Sequence, residues 1–393
     1  MNIGISTSVI QRGKTGIAHY LFSLLAELKS FADEHMFTLF VLEEDAPLFD
    51  FLSGSMEIVK VAEKHRAPIA NIAWHQTTLP RLAVQHRLDA IHVPSYRRLL
   101  FRAPCARIGT IHDLAPFHVR GKYDIARMLY GRYVVKQIAR RQDAIIAVSQ
   151  TTANDIARFF GIDKNKIDVI HNGLDHARFQ PVPTHEDRKV LTDLQLDAPY
   201  FLYVARLEHP GKNHVRLINA FTNFKIATKS NQLLVLGGAD WHGAEAIHQA
   251  AELSPFSKDI RRVGYISDAQ LPALYRRATA MVYPSLFEGF GMPPVEAMAC
   301  NCPVICSDRG SLAEIAAPAA CIVDPENVVQ ISEALRRISL DSKFEEDLRR
   351  SGLKHATKFN WKQAAAGTLA VYERFKRSPK PRAATSAASL NPA

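Results

Sequence analysis

Short apolar runs alternate with longer helical segments along the chain, from the first residues to about residue 375. This alternation is typical of α/β proteins, in which crossover helices connect the strands of parallel sheets. In the first half, the strand candidates are Asn2–Thr7, Phe37–Leu42, Glu57–Ala62, Asp89–Val93, Arg107–His112, Ala144–Val148 and Asp168–Ile170. In the second half they are Tyr200–Ala205, Gln232–Leu236, Arg261–Gly264, Ala280–Tyr283, Pro303–Ser307 and Cys321–Val323. Helix candidates include Gly16–Ser30, Tyr123–Arg141 and Ser149–Phe160.

A polar, proline-bearing stretch from Asn172 to about Pro199 separates the two series of strands. Such a composition is typical of a linker. The pattern therefore predicts two doubly wound, Rossmann-like domains that face a central cleft, the N-terminal one over residues 1–180 and the C-terminal one over residues 181–360. Ligands of such folds bind at the carboxyl ends of the strands.

The end of the chain divides into two parts. Residues 361–376 have helical periodicity, with Trp361, Leu369 and Tyr372 near one face, and we expect this helix to pack back on the N-terminal domain. Residues 377–393 are mainly Pro, Ser, Ala and Lys without periodicity, which predicts a disordered tail.

Basic residues outnumber acidic ones, 49 against 39. The excess suits a nucleic acid, a phosphorylated small molecule or an anionic membrane surface. No nucleic-acid-binding module is recognisable, so no nucleic-acid partner is expected. No uncharged stretch reaches about 18 residues, which excludes a transmembrane helix, and the N-terminus lacks the pattern of a secretion signal. Five cysteines, an odd number, favour free thiols and a cytoplasmic location.

Two basic residues follow the first strand of the second domain. Arg206 and Lys212 lie between the end of that strand and the start of a helix. Two cations beside helix N–H groups can neutralise a diphosphate without a metal ion. Solvated loop charges are the alternative interpretation.

Two carboxylates follow a later strand. Glu288 and Glu296 flank two glycines and the pair Pro293-Pro294, which is expected to open the next helix. A carboxylate can accept hydrogen bonds from two adjacent hydroxyls, so the pair suits recognition of a polyol. Glutamates that cap a helix are the structural alternative.

Candidate residues also occur in the first domain. Gly16 opens a helix after the first strand, where free N–H groups suit a phosphate or a sugar, although a tight turn alone would explain it. His112 precedes Asp113 at a strand end; it could orient a sugar or stabilise a cationic carbon through its carbonyl, or be structural. Ser149 is predicted to be a helix N-cap.

The segments VARLEHPGKNH, which carries Arg206 and Lys212, and EGFGMPPVEAMA, which carries Glu288 and Glu296, resemble the retaining glycosyltransferases of family 4. The likeness extends to Thr15-Gly16-Ile17, Ile111-His112-Asp113, Val148-Ser149 and His171-Asn172-Gly173-Leu174-Asp175. It covers nearly the whole chain to residue 375. It implies a GT-B fold, with a nucleotide-diphosphate sugar bound mainly by the C-terminal domain and an acceptor bound mainly by the N-terminal one.

The resemblance implies a role for each matched residue. Arg206 and Lys212 would bind the diphosphate and stabilise the leaving nucleotide, while Glu296 would hold the ribose hydroxyls. Glu288 would hold the transferred sugar and its phosphate, together with the backbone amides of Phe290, Gly291 and Met292.

The remaining matched residues lie around the other parts of the donor. The backbone of the segment with Tyr265 and Ile266 would read the nucleobase. Gly16 would approach the phosphate or the acceptor from the opposite domain, and His112 would lie against the donor sugar near the reacting carbon.

The mechanism follows from the residues present. Beyond the candidate Glu288, no residue is marked as a nucleophile, so we expect same-face transfer in which the departing phosphate takes the acceptor proton. No Asp-x-Asp motif occurs in these segments, so we expect neither a metal nor another cofactor. A basic amphipathic pattern over Tyr123–Arg141 suits an anionic membrane or a solvated helix face.

The sequence thus predicts a cytoplasmic, retaining hexosyltransferase, and it leaves open whether the basic helix contacts the inner face of the cytoplasmic membrane or is a solvated face. Its donor is a nucleotide-diphosphate sugar, with mannose as the first choice of hexose, and its acceptor is a saccharide or a lipid-linked saccharide of a cell-surface polysaccharide. The alternative function is a non-catalytic nucleotide-sugar-binding scaffold of the same fold.

Overall fold

A computed structural model describes residues 1–119, 129–317 and 319–376. The described residues form two parallel sheets, and each predicted strand overlaps an observed one. The first sheet contains β1 (Asn2–Ser6), β2 (Met36–Leu42), β3 (Glu57–Val61), β4 (Ala90–Val93), β5 (Ala106–Ile111), β6 (Ala144–Ala147) and β7 (Ile167–Val169). The second contains β8 (Tyr200–Val204), β9 (Leu233–Gly237), β10 (Ile260–Gly264), β11 (Ala280–Tyr283), β12 (Val304–Ser307) and β13 (Cys321–Val323).

Helices connect most of these strands. In the N-terminal half they are α1 (Gly16–Leu28), α2 (Pro68–Gln85), α3 (Lys136–Ala139) and α4 (Gln150–Asp155). The C-terminal half contributes α5 (His185–Asp193), α6 (His214–Thr228), α7 (Ala244–Leu253), α8 (Leu271–Arg277), α9 (Met292–Ala299), α10 (Leu312–Ala316), α11 (Val328–Leu340), α12 (Ser342–Ala356) and α13 (Trp361–Glu373). None of the helices in the described residues combines the length and the apolar character needed to cross a membrane.

Shorter helical turns complete the connections. The 3₁₀ turns are Lys29–Phe31, Glu43–Leu52, Glu63–His65, Tyr96–Arg98, Ala115–Phe117, Lys164–Lys166 and Ser257–Asp259. Tyr130–Val135 and Ile156–Phe160 are π-helical. The start of the predicted helix Tyr123–Arg141 and the predicted disordered tail 377–393 both lie outside the described residues.

Both sheets have the same strand order around their first strand. The order is β3-β2-β1-β4-β5-β6-β7 in the first sheet and β10-β9-β8-β11-β12-β13 in the second. The chain direction across the sheet reverses between β1 and β4, and again between β8 and β11. Such a switch point leaves a crevice at the carboxyl ends of the two strands, where doubly wound folds bind their ligands. The α/β prediction with two Rossmann-like domains is confirmed.

The last helix, α13, packs on the N-terminal sheet. Leu369 and Tyr372 are buried in one apolar cluster with Leu21 of α1. The Tyr372 hydroxyl lies 2.6 Å from Nδ1 of His92 in β4, so a polar contact joins the helix to the sheet. Burial lowers the pKa of His92 to about 3, which keeps this contact neutral.

The chain passes between the two sheets twice, at neighbouring positions. Leu174 and Asn360 form a parallel bridge, and the Leu174 N–H donates to the Phe359 carbonyl at 3.3 Å. The sheet changes between β7 and β8, a span that contains residue 180. The boundary predicted between residues 180 and 181 stays a prediction.

Candidate active site

Two loops of the C-terminal domain meet at the switch point between β8 and β11. The Leu286 N–H donates to the Gly211 carbonyl at 3.0 Å. Asn213, which has a left-handed φ of 62°, donates through Nδ2 to the Pro284 carbonyl at 3.0 Å. These hydrogen bonds make the loop after β8 and the loop after β11 one wall of the crevice.

That wall brings Lys212 and Glu288 together. Lys212 Nζ donates to Glu288 Oε1 at 2.5 Å, and the two side chains are only 14% and 16% exposed. The Tyr283 hydroxyl donates to the same carboxylate oxygen at 3.1 Å, while the Tyr203 hydroxyl donates to the Lys212 carbonyl at 2.5 Å. Because the pair is largely shielded from water, its charges act strongly on a nearby ligand. The roles assigned to Lys212 and Glu288 stay predictions.

Arg206 lies against Trp241. Its guanidinium carbon is 4.7 Å from the centre of the Trp241 ring, and Nη2 is 3.6 Å from Glu208 Oε2. The Arg206 side chain is 54% exposed. The sequence analysis did not predict Trp241; a tryptophan in the loop that follows β9 was the available signal.

Glu296 lies in α9, one turn into the helix. The Tyr275 hydroxyl donates to Glu296 Oε2 at 3.1 Å. Burial raises the pKa of Glu296 to about 7, although the charge of Arg178 opposes this shift. A carboxyl group with this pKa is about half ionised at neutral pH, and its ionised form is the better acceptor for ribose hydroxyls. Its ribose-binding role stays a prediction.

Glu296→Gln is expected to change the pH dependence of stability. The raised pKa of Glu296 favours the folded state below the unfolded pKa of about 4.3 and loses that advantage as pH rises through 7, a difference of about 4 kcal/mol. The wild-type melting temperature should therefore fall between pH 5 and pH 8 more than that of Glu296→Gln. Nucleotide-sugar affinity should weaken in the variant. Parallel melting profiles of the two proteins would contradict the shift.

The start of α9 follows the predicted pattern. Gly291 precedes the helix with φ of +92°, and prolines occupy its first turn. This positive φ favours glycine, and a Cβ on Gly291 would also require Leu312 Cδ2, 2.4 Å away, to move. The Phe290 ring is buried near His171 and Phe359. Backbone amides at a helix start suit a phosphate, but binding through Phe290, Gly291 and Met292 stays a prediction.

Gly289 is the point where the two domains touch beside Glu288. Its carbonyl accepts hydrogen bonds from Ser149 Oγ at 2.7 Å and from Thr152 Oγ1 at 3.1 Å. A Cβ on Gly289 would lie 1.8 Å from the His112 carbonyl oxygen. Ser149 is the N-cap of α4, as predicted, because its side chain accepts from the Thr152 N–H. Its bond to Gly289 across the domains was not predicted.

A second contact between the domains involves Glu314 of α10. Its carboxylate accepts from the Gln150 and Thr151 N–H groups, at 2.7 and 2.8 Å, and lies 3.2 Å from His171 Nε2. Burial raises the pKa of Glu314, but these hydrogen bonds outweigh it and bring the pKa to about 2. A carboxylate of one domain therefore caps a helix of the other.

His112 joins the domain contact to a cavity in the N-terminal domain. Its ring meets Tyr20 edge-on, with centroids 4.7 Å apart, and Nε2 is buried without a hydrogen-bond partner in the described part of the chain. Burial lowers the pKa of His112 to about 4, so the ring is neutral at physiological pH. His112 and Asp113 line the cavity, which has a volume of about 710 Å³. Contact of His112 with a donor sugar stays a prediction.

Gly16 lies at the first position of α1, and its neighbour Ile17 lines the same cavity. A Cβ on Gly16 would meet no atom within 4 Å among the described residues, so the free protein has room there for a side chain. In the preceding loop, Gly13 has a φ of +80°, a backbone conformation that favours glycine. A close approach of Gly16 to a ligand stays a prediction.

The segment expected to read a nucleobase follows β10. Tyr265 is 75% exposed, whereas Ile266 packs against Gly237, on which a Cβ would lie 2.1 Å from Ile266 Cδ1. The Gly238 N–H donates to the Gly264 carbonyl at 2.7 Å. The segment therefore lies beside the carboxyl end of β9, but nucleobase binding by Tyr265 and Ile266 stays a prediction.

Residues 1–119, 129–317 and 319–376 contain no group of three or more His, Cys, Asp and Glu residues placed to bind a metal ion. All five cysteines are free thiols.

Comparisons with known proteins agree with this arrangement. Residues 14–178 match the model "Glycosyltransferase Family 4", and residues 186–355 match "Glycosyl transferases group 1". O-antigen chain mannosyltransferase B of Escherichia coli is 28% identical over 95% of this chain and 100% of its own length. O-antigen chain mannosyltransferase RfbU of Salmonella typhimurium is 31% identical over 58% of this chain and 60% of its own length.

A solved structure shares the fold across both domains. Alr3699/HepE of Anabaena in complex with UDP-glucose superposes with a TM-score of 0.71 at 19% identity, covering 94% of this chain and all of that one. The family matches adjoin near residue 180 and together span both Rossmann-like domains. The chain therefore belongs to the family 4 glycosyltransferases and has the GT-B fold.

Proposed function

We propose that this glycosyltransferase is a retaining hexosyltransferase that moves mannose from a nucleotide-diphosphate sugar to a glycan or a lipid-linked saccharide. Its product would belong to a cell-surface polysaccharide such as lipopolysaccharide. The observation that carries the proposal is the shielded Lys212–Glu288 pair, which lies at the switch point of the C-terminal sheet and next to the domain contact at Gly289. The relatives named mannosyltransferases support the choice of sugar.

The chemistry of transfer follows from the charges at this wall. Lys212 and the exposed Arg206 neutralise the diphosphate as the glycosidic bond breaks, which is the main catalytic task when a nucleotide leaves. Glu288 is engaged by Lys212 and Tyr283, which supports a role in orienting the sugar rather than in forming a covalent bond to it. The acceptor then attacks from the face that the nucleotide leaves, and the departing phosphate takes its proton.

Two cationic side chains, Lys212 and Arg206, neutralise this charge in the proposed reaction, which therefore requires no metal ion.

The proposed location is cytoplasmic, at the inner face of the cytoplasmic membrane. Leu129, Tyr133 and Val134 are exposed apolar side chains, and the basic residues Arg132 and Lys136 lie in the same short stretch. Apolar residues among basic ones suit the surface of an anionic membrane.

A thermal-shift panel of GDP-, UDP-, ADP- and dTDP-sugars tests the donor. A ligand that binds only the native state at a hundred times its Kd stabilises it by about 2.7 kcal/mol, so one nucleotide sugar should raise the melting temperature. We expect GDP-mannose, and we expect mannose to be transferred to saccharide acceptors. Lys212→Ala should reduce the shift. Binding without any turnover would support the non-catalytic scaffold, and no shift with any sugar would remove the proposed function.

Two further arms of the same experiment test the metal and the membrane. Excess EDTA is expected to leave both the shift and transfer unchanged, and a strict requirement for a divalent ion would contradict neutralisation by Arg206 and Lys212 alone.

Vesicles containing phosphatidylglycerol should sediment the protein more than vesicles of phosphatidylcholine. If the protein sediments with neither kind of vesicle, the proposed membrane contact is wrong.

A further inference from the structure

The cavity that begins at His112 and Asp113 is rich in arginine. Its volume is about 710 Å³, and Arg12, Arg66, Arg97 and Arg98 line it. Its inner end touches the domain contact, because the His112 carbonyl abuts Gly289. A molecule at this end of the cavity would therefore lie near the contact between the His112 and Gly289 backbones.

Two of these arginines are already neutralised. Arg66 donates to both carboxylate oxygens of Asp45, at 3.1 and 3.2 Å, and forms a second ion pair with Glu63. Arg12 pairs with Glu44 at 2.6 Å, and both side chains are more than half exposed. Both arginines therefore have a carboxylate partner within the protein.

Arg98 differs from both because its hydrogen bonds go to neutral acceptors. Nε donates to Asn71 Oδ1 at 2.6 Å, and Nη1 donates to the Arg97 carbonyl at 3.2 Å. No carboxylate pairs with Arg98 within the described ranges 1–119, 129–317 and 319–376. Burial lowers its pKa, and the neighbouring charge of Arg97 adds to this effect. A half-buried cation without an anion is costly.

The unused edge of Arg98 has the shape that a phosphate needs. A guanidinium carries five N–H groups, and two of those of Arg98 are engaged by the protein. The buried Asn71 holds Nε in place, since its own Nδ2 donates to the His65 carbonyl at 2.9 Å. A planar guanidinium fixed in this way suits a bidentate contact with a phosphate.

The rest of the lining favours the same kind of ligand. Asp113 is the one acidic residue among the described residues that line the cavity, and the Tyr96 and Tyr130 hydroxyls in the lining are engaged by Arg97. The Asp113 carboxylate already accepts from the Ala115 N–H at 2.9 Å. The cavity thus offers a cation, with little negative charge to repel an anion.

We propose that Arg98 binds a phosphate group of the acceptor, so that the acceptor is a phosphorylated saccharide or a saccharide on a lipid diphosphate. That the bound phosphate belongs to the acceptor rests on the proposed function, whereas phosphate binding in the cavity does not. The positive cavity selects acceptors that carry phosphate over neutral glycans of the same sugar.

Calorimetric titration with inorganic pyrophosphate tests the site. The donor site is removed by the double substitution Arg206→Ala/Lys212→Ala, so that binding reports on the cavity. Adding Arg98→Gln should weaken pyrophosphate binding at least about tenfold, the scale of a lost charge-assisted contact. Arg81→Gln is the matched control, because Arg81 is exposed on α2 and does not line the cavity. Equal affinities with and without Arg98→Gln would overturn the proposal.

A second variant separates the contact from an effect on folding. Arg98→Lys keeps the charge but loses the planar fork, so its affinity should lie between those of the parent and Arg98→Gln. Melting curves of all variants should coincide within a few degrees. If Arg98→Lys bound pyrophosphate no more tightly than Arg98→Gln, and the melting curves were unchanged, recognition by charge at this position would be contradicted.

Three more probes in the same donor-deficient background identify the source of the phosphate. Methyl α-mannoside should show no dependence on Arg98, whereas α-mannose 1-phosphate and farnesyl diphosphate should lose affinity in Arg98→Gln. Tighter binding of farnesyl diphosphate points to a lipid diphosphate, and tighter binding of mannose 1-phosphate to a sugar phosphate. Arg98-independent binding of all three would overturn the proposal. The background binds no donor, so these results stand apart from the nucleotide-sugar panel.

Discussion

Lys212→Ala is expected to reduce glycosyl transfer by at least about a hundredfold, the scale of a lost charge-stabilising group. Lys212 Nζ lies 2.5 Å from Glu288 Oε1 in a shielded part of the crevice, so its charge is fixed in place before the diphosphate arrives. A preorganised charge requires no reorganisation as the leaving group becomes more negative. Glu288→Ala is expected to reduce transfer to a similar extent, because Lys212 then loses the carboxylate that orients it.

The measurement is kcat/KM for transfer at a temperature well below the melting transition of each variant. Because the two side chains act as a unit, the double variant should lose much less than the product of the two single losses. Lys189→Ala is the control, since Lys189 is exposed on α5. Rates near the wild-type value in either single variant would contradict the assigned roles.

The Lys212–Glu288 contact is within reach of sequence reasoning because both residues follow strands that flank the switch point of one sheet. Parallel strands end at the same edge of a sheet, so the loops after β8 and β11 must meet there. The start of α9 at Met292 is predictable for a local reason, since glycine before a helix and proline in its first turn have strong conformational preferences.

Contacts between the domains have no comparable signal in the sequence. Ser149 has the chemistry of an N-cap whichever surface lies opposite, so its bond to Gly289 depends on how the domains are placed. The cap that Glu314 provides to α4 has the same origin. Arg98 was missed because the side chain that holds its Nε, Asn71, lies on a different element, α2. Periodicity predicts elements, but not the side chains that meet between them.

Gly289→Ala is expected to reduce transfer about a hundredfold, because misplacing a reacting group by about 1 Å costs that much. The added Cβ would lie 1.8 Å from the His112 carbonyl oxygen and 2.7 Å from Asp113 Cβ. The nearest obstacle is backbone, so either the loop that carries Glu288 moves or the domains separate. The φ of Gly289 is not positive, and the substitution therefore tests space rather than conformation.

Measuring donor affinity beside kcat shows whether Gly289→Ala disturbs the donor-binding domain itself or only its contact with the other domain. Arg206, Lys212 and Glu296 all belong to the C-terminal sheet and its helices, so nucleotide-sugar affinity in Gly289→Ala should fall much less than kcat. Gly367→Ala in α13 is the matched control, because its nearest neighbour would be 3.5 Å away, an ordinary contact distance. Normal transfer by Gly289→Ala would mean that the domains work further apart than this contact allows. A fall in kcat alone would mean that transfer requires the Glu288 loop and the His112 backbone to keep their present relative position.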